Sequence, residues 1–160
     1  MAPSGVNLQP WYFLVLESQE AMEKYREIMR EGAKGFLPVL EKRFPKHPEV
    51  VRETTSFLSN CGGAPVVVLV FLHKPSLNTD DKACSNIQGV AAAIQNLLLL
   101  AWDKGIASCW TTAPVSAGVS EIIEKQFAPD KGNFVAAICM GYADQEPQAP
   151  RRKTDRIVYC

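Results

Sequence analysis

The stretch that most limits the fold is CSNIQGVAAAIQNLLLLAWDKG, Cys84 to Gly105. Its Ala, Leu, Gln and Ile residues favour or tolerate a helix, and Gly105 supplies a stop. The apolar side chains run round most of the cylinder, so the helix must be buried on several sides. A chain of 160 residues covers such a helix more readily if a second subunit takes one face. The pattern therefore predicts a core helix that is also a homodimer interface. Ser85, Gln88, Gln95 and Asn96 are its polar exceptions and need partners there. The same polar residues make Ile87 to Trp102 too short and too polar to span a membrane.

The rest of the chain reads as a frame around that helix. WYFLVLE, Trp11 to Glu17, is an apolar run of strand length. A helix is expected over Ser18 to Gly35, with Ser18 as N-cap and Ala21, Met22, Tyr25, Ile28 and Met29 on one face. Gly32 and Gly35 weaken its end, and a second, broken helical stretch follows over Phe36 to Phe44. Glu49 to Ser59 is expected to be a third helix. Val66 to Leu72 is an unbroken apolar strand with both faces covered, and His73 to Lys82 is a polar loop. Ile106 to Pro114 reads as a short strand ending in a Thr-Thr turn. A short helix from about Ser116 to Ala128 precedes a last core strand, Asn133 to Ala143. The Pro- and charge-rich tail turns to strand-forming residues at Ile157 to Tyr159 and cannot fold on itself.

Composition narrows the function. Seventeen basic and seventeen acidic side chains give zero net charge, which offers no electrostatic footprint for nucleic acid or an anionic membrane. The five cysteines show no CxxC and no His at zinc spacing, so no metal site is expected. An odd cysteine count with no visible signal peptide fits a reducing cytoplasm. Cys109 and Cys139 lie in apolar runs and read as small core residues. The two histidines, His47 and His73, are far apart, and no residue stands out as a catalytic acid or base.

The polar stretch with most chemical content is PSGVNLQPW, Pro3 to Trp11. Pro3 and Pro10 stiffen it, Gly5 lets backbone approach a flat ligand, and Ser4, Asn7 and Gln9 can read polar ring edges without adding charge. Taken alone, the stretch suits an ordered surface loop before an edge strand better, since residues of these types usually serve turn geometry. The Thr-Thr turn alone suits an ordinary β-turn, and Arg-Arg-Lys at 151–153 alone suits a solvated charge run.

Together these strings resemble the nitroreductase family of flavoproteins. PSGVNLQPW resembles that family's Pro-Ser-x-x-Asn-x-Gln-Pro-Trp loop; Gly-Ile-Ala-Ser-Cys-Trp-Thr after the long helix and Met-Gly-Tyr at 140–142 add to the likeness. The resemblance implies a single α+β domain over 1–160, with a central mixed or antiparallel sheet flanked by helices. It also implies an intertwined homodimer with C-terminal strand exchange. Pro3, Ser4, Gly5, Asn7 and Gln9 would contact FMN in a site shared by two subunits. Thr111, Thr112 or Ala113 would lie against flavin N5, and Arg152 would pair with the FMN phosphate. The implied activity is NADH- or NADPH-dependent reduction of nitroaromatics, quinones or similar small electron-poor acceptors, by ping-pong hydride transfer through N5. The region from Gly35 to Ser59 would form a lid over the substrate. The Thr-Thr-Ala-Pro turn and basic tail also resemble iodotyrosine-dehalogenase-like members. Ala33 and Leu37 stand near the places where those use a Glu and a Tyr, so that substrate does not carry over. Family members also carry an Arg-rich segment ahead of the Pro-Ser loop, whereas here Met1 stands just before it. That difference favours a second reading: a non-catalytic or weakly flavin-binding dimer of the same shape.

Overall fold

A computed structural model describes residues 2–73 and 80–157, the side chains of 80–84 excepted. Among the described residues, one four-stranded sheet forms the centre. Its strands are β1 (Trp11–Leu16), β2 (Val66–Leu72), β3 (Ala107–Thr111) and β4 (Asn133–Gly141), in the order β1-β2-β4-β3. Every pairing is antiparallel, which settles the sheet as antiparallel rather than mixed.

The alternation along β2 explains the layering. Val67, Leu69 and Phe71 point to one face; Val68 and Val70 point to the other. The first face is covered by α1 (Gln19–Arg43), α2 (Pro48–Asn60) and α5 (Ser120–Phe127), which bring Met22, Tyr25, Met29, Leu58 and Ile123 to the core. The second is covered by α3 (Asp80–Asp103) through Val90, Ile94, Leu97 and Leu98. Both faces of β2 are thus buried, as its unbroken apolar run requires. A bulge opposite Val70 and Phe71 lets Val135 and Ala136 of β4 face the same side.

Three expectations change in the structure. The helical stretches split at Gly35 are one helix, α1, which runs through Pro38. Packing decides this: Ala33 and Leu40 are buried on either side of the weak point, and a continuous apolar face outweighs local propensity. Gly32 serves that packing, since a Cβ there would lie 3.0 Å from Val119 Cγ1. Second, the helix expected from Ser116 begins only at Ser120, as α5, and a short α4 (Ala113–Ser116) forms at the end of the expected turn, with Gly118 at positive φ between them. Third, Cys139 is buried but Cys109 is exposed, because β3 is an edge strand. Ser18 caps α1 as expected, its Oγ accepting from Ala21 N–H at 3.2 Å. The terminal strand at Ile157 to Tyr159 lies outside the described residues except for Ile157, which is exposed and not in a strand. Most of the 73–82 loop also lies outside them. No helix among the described residues is long and apolar enough to cross a membrane.

Candidate functional site

The opening loop is rigid for its length. Gly5–Asn7 forms one 3-10 turn, in which Asn7 N–H donates to the Ser4 carbonyl at 3.2 Å and Leu8 N–H to the Gly5 carbonyl at 3.0 Å. Across the loop, Gln9 N–H donates to Ser4 Oγ at 3.1 Å, and Gln9 Nε2 donates to Asn7 Oδ1 at 3.0 Å. Val6, Asn7 and Gln9 all have positive φ, at 45°, 58° and 48°. Each such residue costs on the order of 1–3 kcal/mol, least for Asn, and such strain clusters at functional sites. The glycine is not where the strain falls: Gly5 is absent from the positive-φ positions, and a Cβ there would meet only Ser85 Oγ at 3.6 Å.

The rest of the fold fixes this loop at both ends. Pro10 is buried, and its carbonyl accepts from His73 N–H at 2.8 Å, joining the loop to the end of β2. At the other end Pro3 rests on α3, where its carbonyl oxygen would be 3.2 Å from a Cβ on Gly89. Gly89 was not singled out in the sequence. Its signal was a glycine inside an otherwise strong helix, which usually has a packing reason. The internal bonds leave the Ser4 hydroxyl proton, the Asn7 amide N–H pair and the Gln9 side-chain carbonyl oxygen without a hydrogen-bond partner among the described residues. That donor and acceptor set is uncharged, with Asn7 and Gln9 exposed and Ser4 half-buried. It fits the mixed donors and acceptors of a flavin ring edge or ribityl chain.

The second expected element is the turn after β3. Ala113 N–H donates to Thr111 Oγ1 at 3.1 Å, so that amide is already committed. Thr112 carries no side-chain cap bond; its carbonyl accepts from Val115 N–H at 3.0 Å and Ser116 N–H at 3.2 Å. Pro114 is buried beneath. The exposed Thr112 hydroxyl is therefore the open polar group of this turn.

One chain does not bring these elements together. Trp11 pairs with Leu72, Leu72 with Asn133, and Thr111 with Ala137, so the opening loop and the Thr-Thr turn point to the same end of the sheet. They leave from opposite edges, β1 and β3, about 14 Å apart at three strand spacings. Arg152 lies farther along an exposed tail with no regular structure and makes no ion pair among the described residues, whereas Arg156 there pairs with Asp155 at 3.5 Å. The region expected to act as a lid contains a groove of about 380 Å³ between α1 and α2, lined by Leu37, Phe44, Val51 and Thr55 among others. Ala33 is buried in the core, so it cannot contact a ligand.

The model of the Nitroreductase family matches residues 1–142. An iodotyrosine deiodinase of Thermotoga neapolitana is 28% identical over 155 residues, covering 95% of this chain and 76% of the relative. A nitroreductase with bound FMN from Desulfitobacterium hafniense superposes with a TM-score of 0.68 at 21% identity, covering 99% of this chain and 80% of that one. The FMN-dependent nitroreductase NfnB from Mycobacterium smegmatis, in complex with NADPH, gives 0.67 at 20% identity, covering 99% and 83%. At these identities the superpositions show the α+β fold.

Proposed function

The chain belongs to the nitroreductase family, and from that footing we propose that it is an FMN-dependent oxidoreductase that uses NADH or NADPH to reduce small electron-poor acceptors such as nitroaromatics and quinones. The observation that carries this reading is the opening loop. Its strained backbone, double anchoring and uncharged donors and acceptors suit a neutral planar ligand better than an ordinary turn. Bound FMN would supply the hydride chemistry, and the protein would supply orientation and electrostatics.

In this reading Ser4, Asn7 and Gln9 bind the ring edge and ribityl chain, with Pro3 and Gly5 shaping the loop. The Thr112 hydroxyl is the group of the 111–113 turn free to touch the cofactor, and Arg152 holds the phosphate, for which a guanidinium is suited. Because β1 and β3 are opposite edges of one sheet, the reading includes a homodimer in which the loop of one subunit meets the turn of the other. The tail would then cross to the partner.

A second reading concerns the acceptor. The Thermotoga relative bears the name of a deiodinase, which favours reductive dehalogenation as an alternative use of the same cofactor. Neither Ala33 nor Leu37 offers a charge to an amino-acid zwitterion, so nitroaromatic and quinone acceptors remain preferred.

The test is an absorbance spectrum of purified protein followed by turnover. Flavin bands near ~370 and ~450 nm, bleached by NADH or NADPH and restored by a nitroaromatic, are expected of a flavin that the site binds and orients. A colourless protein that cannot be reconstituted with FMN would instead favour the non-catalytic reading. Bleached flavin reoxidised by iodotyrosine but not by nitroaromatics or quinones would favour the deiodinase reading.

A further inference from the structure

At the end of the sheet away from the opening loop, three cysteines meet. Cys139 lies near the end of β4, and Cys109 is its directly paired neighbour on β3, so both side chains sit on the same sheet face. Cys61 closes α2 just before β2 begins, and it shares the core cluster of Cys139. A cleft of about 360 Å³ is lined by all three cysteines together with Gly62, Gly63 and Met140. The trio is not a metal cage, since no group of His, Cys, Asp or Glu among the described residues could hold a metal ion.

The turn that presents Cys61 is strained and fixed. Cys61 has φ 60° and ψ 31°, a left-handed conformation rare for a non-glycine residue. Gly62 and Gly63 follow at φ 64° and 74°, and a Cβ on Gly62 would lie 2.6 Å from the Phe57 ring. Asn60 Oδ1 accepts from Gly62 N–H at 2.8 Å and locks the turn. The result sets the Cys61 side chain beside Cys139 in one core cluster and one cleft, where each thiol perturbs the proton of the other. Arg26, whose Nη2 donates to the Ala64 carbonyl at 3.1 Å, brings its charge to bear on Cys61. Tyr25 and Cys109 are the other titratable groups against the pair.

We propose that Cys61 and Cys139 form a redox-active dithiol, in which Cys61 attacks a small hydroperoxide and Cys139 resolves the product to a Cys61–Cys139 disulfide. The Cys61 thiolate attacks the O–O bond; a Cys61 S–O bond forms, the O–O bond breaks, and the alkoxide or hydroxide takes up the proton that the thiol gave up. The Cys139 sulfur then attacks the Cys61 sulfenic acid, the disulfide forms, and water leaves. The two thiols lose two electrons, and the hydroperoxide gains them. Both residues are nearly buried, at 3% and 6% exposure, which excludes a protein disulfide, while the cleft they line gives a small oxidant its way in. The electrostatics agree with the roles. The neighbouring Cys139 thiol holds the Cys61 thiol below its usual range against the cost of burial, and Arg26 helps; the same neighbour and burial push Cys139 well up. The carboxyl end of α2 works against a thiolate at Cys61, so the Arg26 charge matters. Cys109 is more exposed but is raised by burial of its sulfur, and it serves as an internal control.

The test treats the reduced full-length chain with hydrogen peroxide, blocks remaining thiols with iodoacetamide, and maps peptides by mass spectrometry. A Cys61–Cys139 disulfide is expected, with the chain lighter by two hydrogens and restored by dithiothreitol. In Cys139→Ala, dimedone should capture a sulfenic acid on Cys61. In Arg26→Gln, oxidation of Cys61 should slow while alkylation of Cys109 keeps its rate. The wild-type map needs no variant to fold and decides alone. Oxidation of Cys109 ahead of Cys61, disulfides involving only Cys84, Cys109 or Cys160, or no oxidation of Cys61 would each overturn the assignment.

Discussion

Asn7 combines two roles that single substitutions separate. Its side-chain oxygen holds Gln9 within the loop, and its backbone sits at φ 58°, which Ala tolerates poorly. Asn7→Gly keeps the backbone freedom and removes the amide. It is expected to weaken FMN binding about tenfold, the worth of one lost hydrogen bond, with the melting temperature of the flavin-free protein changed by only a few degrees. Trp11, packed against the α3 side of the sheet, should behave in the opposite way. Trp11→Ala should destabilise by about 3 kcal/mol with or without flavin, as measured by denaturant unfolding. Arg152 is exposed and unpaired in the tail, so Arg152→Ala should leave stability unchanged. It should weaken FMN by one charge-assisted contact, about 1.5–3 kcal/mol, and leave riboflavin, which has no phosphate, unaffected. Equal FMN titrations for the two proteins would return Arg152 to the solvated tail. Tyr25 gives a pH signature. Burial, then the neighbouring Cys61 and Cys139, hold its phenol well above the usual tyrosine value. Above about pH 10 the unfolded chain loses this proton while the folded chain keeps it, so the unfolded state binds fewer protons and stability falls as pH rises. Below that pH the group contributes no slope. Unfolding free energies measured from pH 9.5 to 11.5 should fall less steeply in Tyr25→Phe, by about 1.4 kcal/mol per pH unit.

At the scale of elements, α3 and the opening loop act as one unit through Gly89. The helix passes so close to Pro3 that a methyl group at Gly89 would press on its carbonyl oxygen at 3.2 Å. Gly89→Ala should raise helix propensity by about 1 kcal/mol and at the same time displace the loop by a few tenths of an ångström. The expected outcome is a protein of equal or greater thermal stability with reduced flavin affinity, read by thermal melts and FMN titration of the same samples. Loss of both together would mean that the contact supports the fold rather than the loop. The strands of this fold were plain from composition alone: Val66–Leu72 is apolar throughout because β2 is central and covered on both sides. The length of α1 was not, because Gly35 and Pro38 are local breakers, and it is the burial of Ala33 and Leu40 that carries the helix past them.

At the scale of the whole molecule, the question is what covers α3. Its inner face packs on the sheet, while Ile87, Leu99, Leu100 and Trp102 are left exposed, Trp102 at 77%. Trp110 on the edge strand β3 is also part-exposed. Apolar surface removed from water contributes about 25 cal/mol per Å², so a second copy laid across these residues gains from every one of them. A dimer is expected by sedimentation equilibrium at micromolar concentration, and Leu99→Glu with Trp102→Glu should convert it to monomer. A wild-type chain that sediments as a monomer would refute both the interface and the shared site.

The sequence by itself determined the strands, the long helix and the family to which the opening loop points. Unbroken apolar runs marked the strands, helix-forming residues with a glycine stop marked the long helix, Ser18 marked a cap, and the Pro-Ser-Gly-Val-Asn-Leu-Gln-Pro-Trp string marked the loop, because these signals depend on residues near one another in the chain. It could not show that Val6, Asn7 and Gln9 rather than Gly5 bear the backbone strain, since that follows from hydrogen bonds closing across the loop. Nor could it show that the loop and the Thr-Thr turn leave from opposite edges, that Gly89 seats Pro3, or that Cys61, Cys109 and Cys139 share a cleft. Those are contacts between residues far apart in sequence, and only the order and register of the strands decide which of them meet.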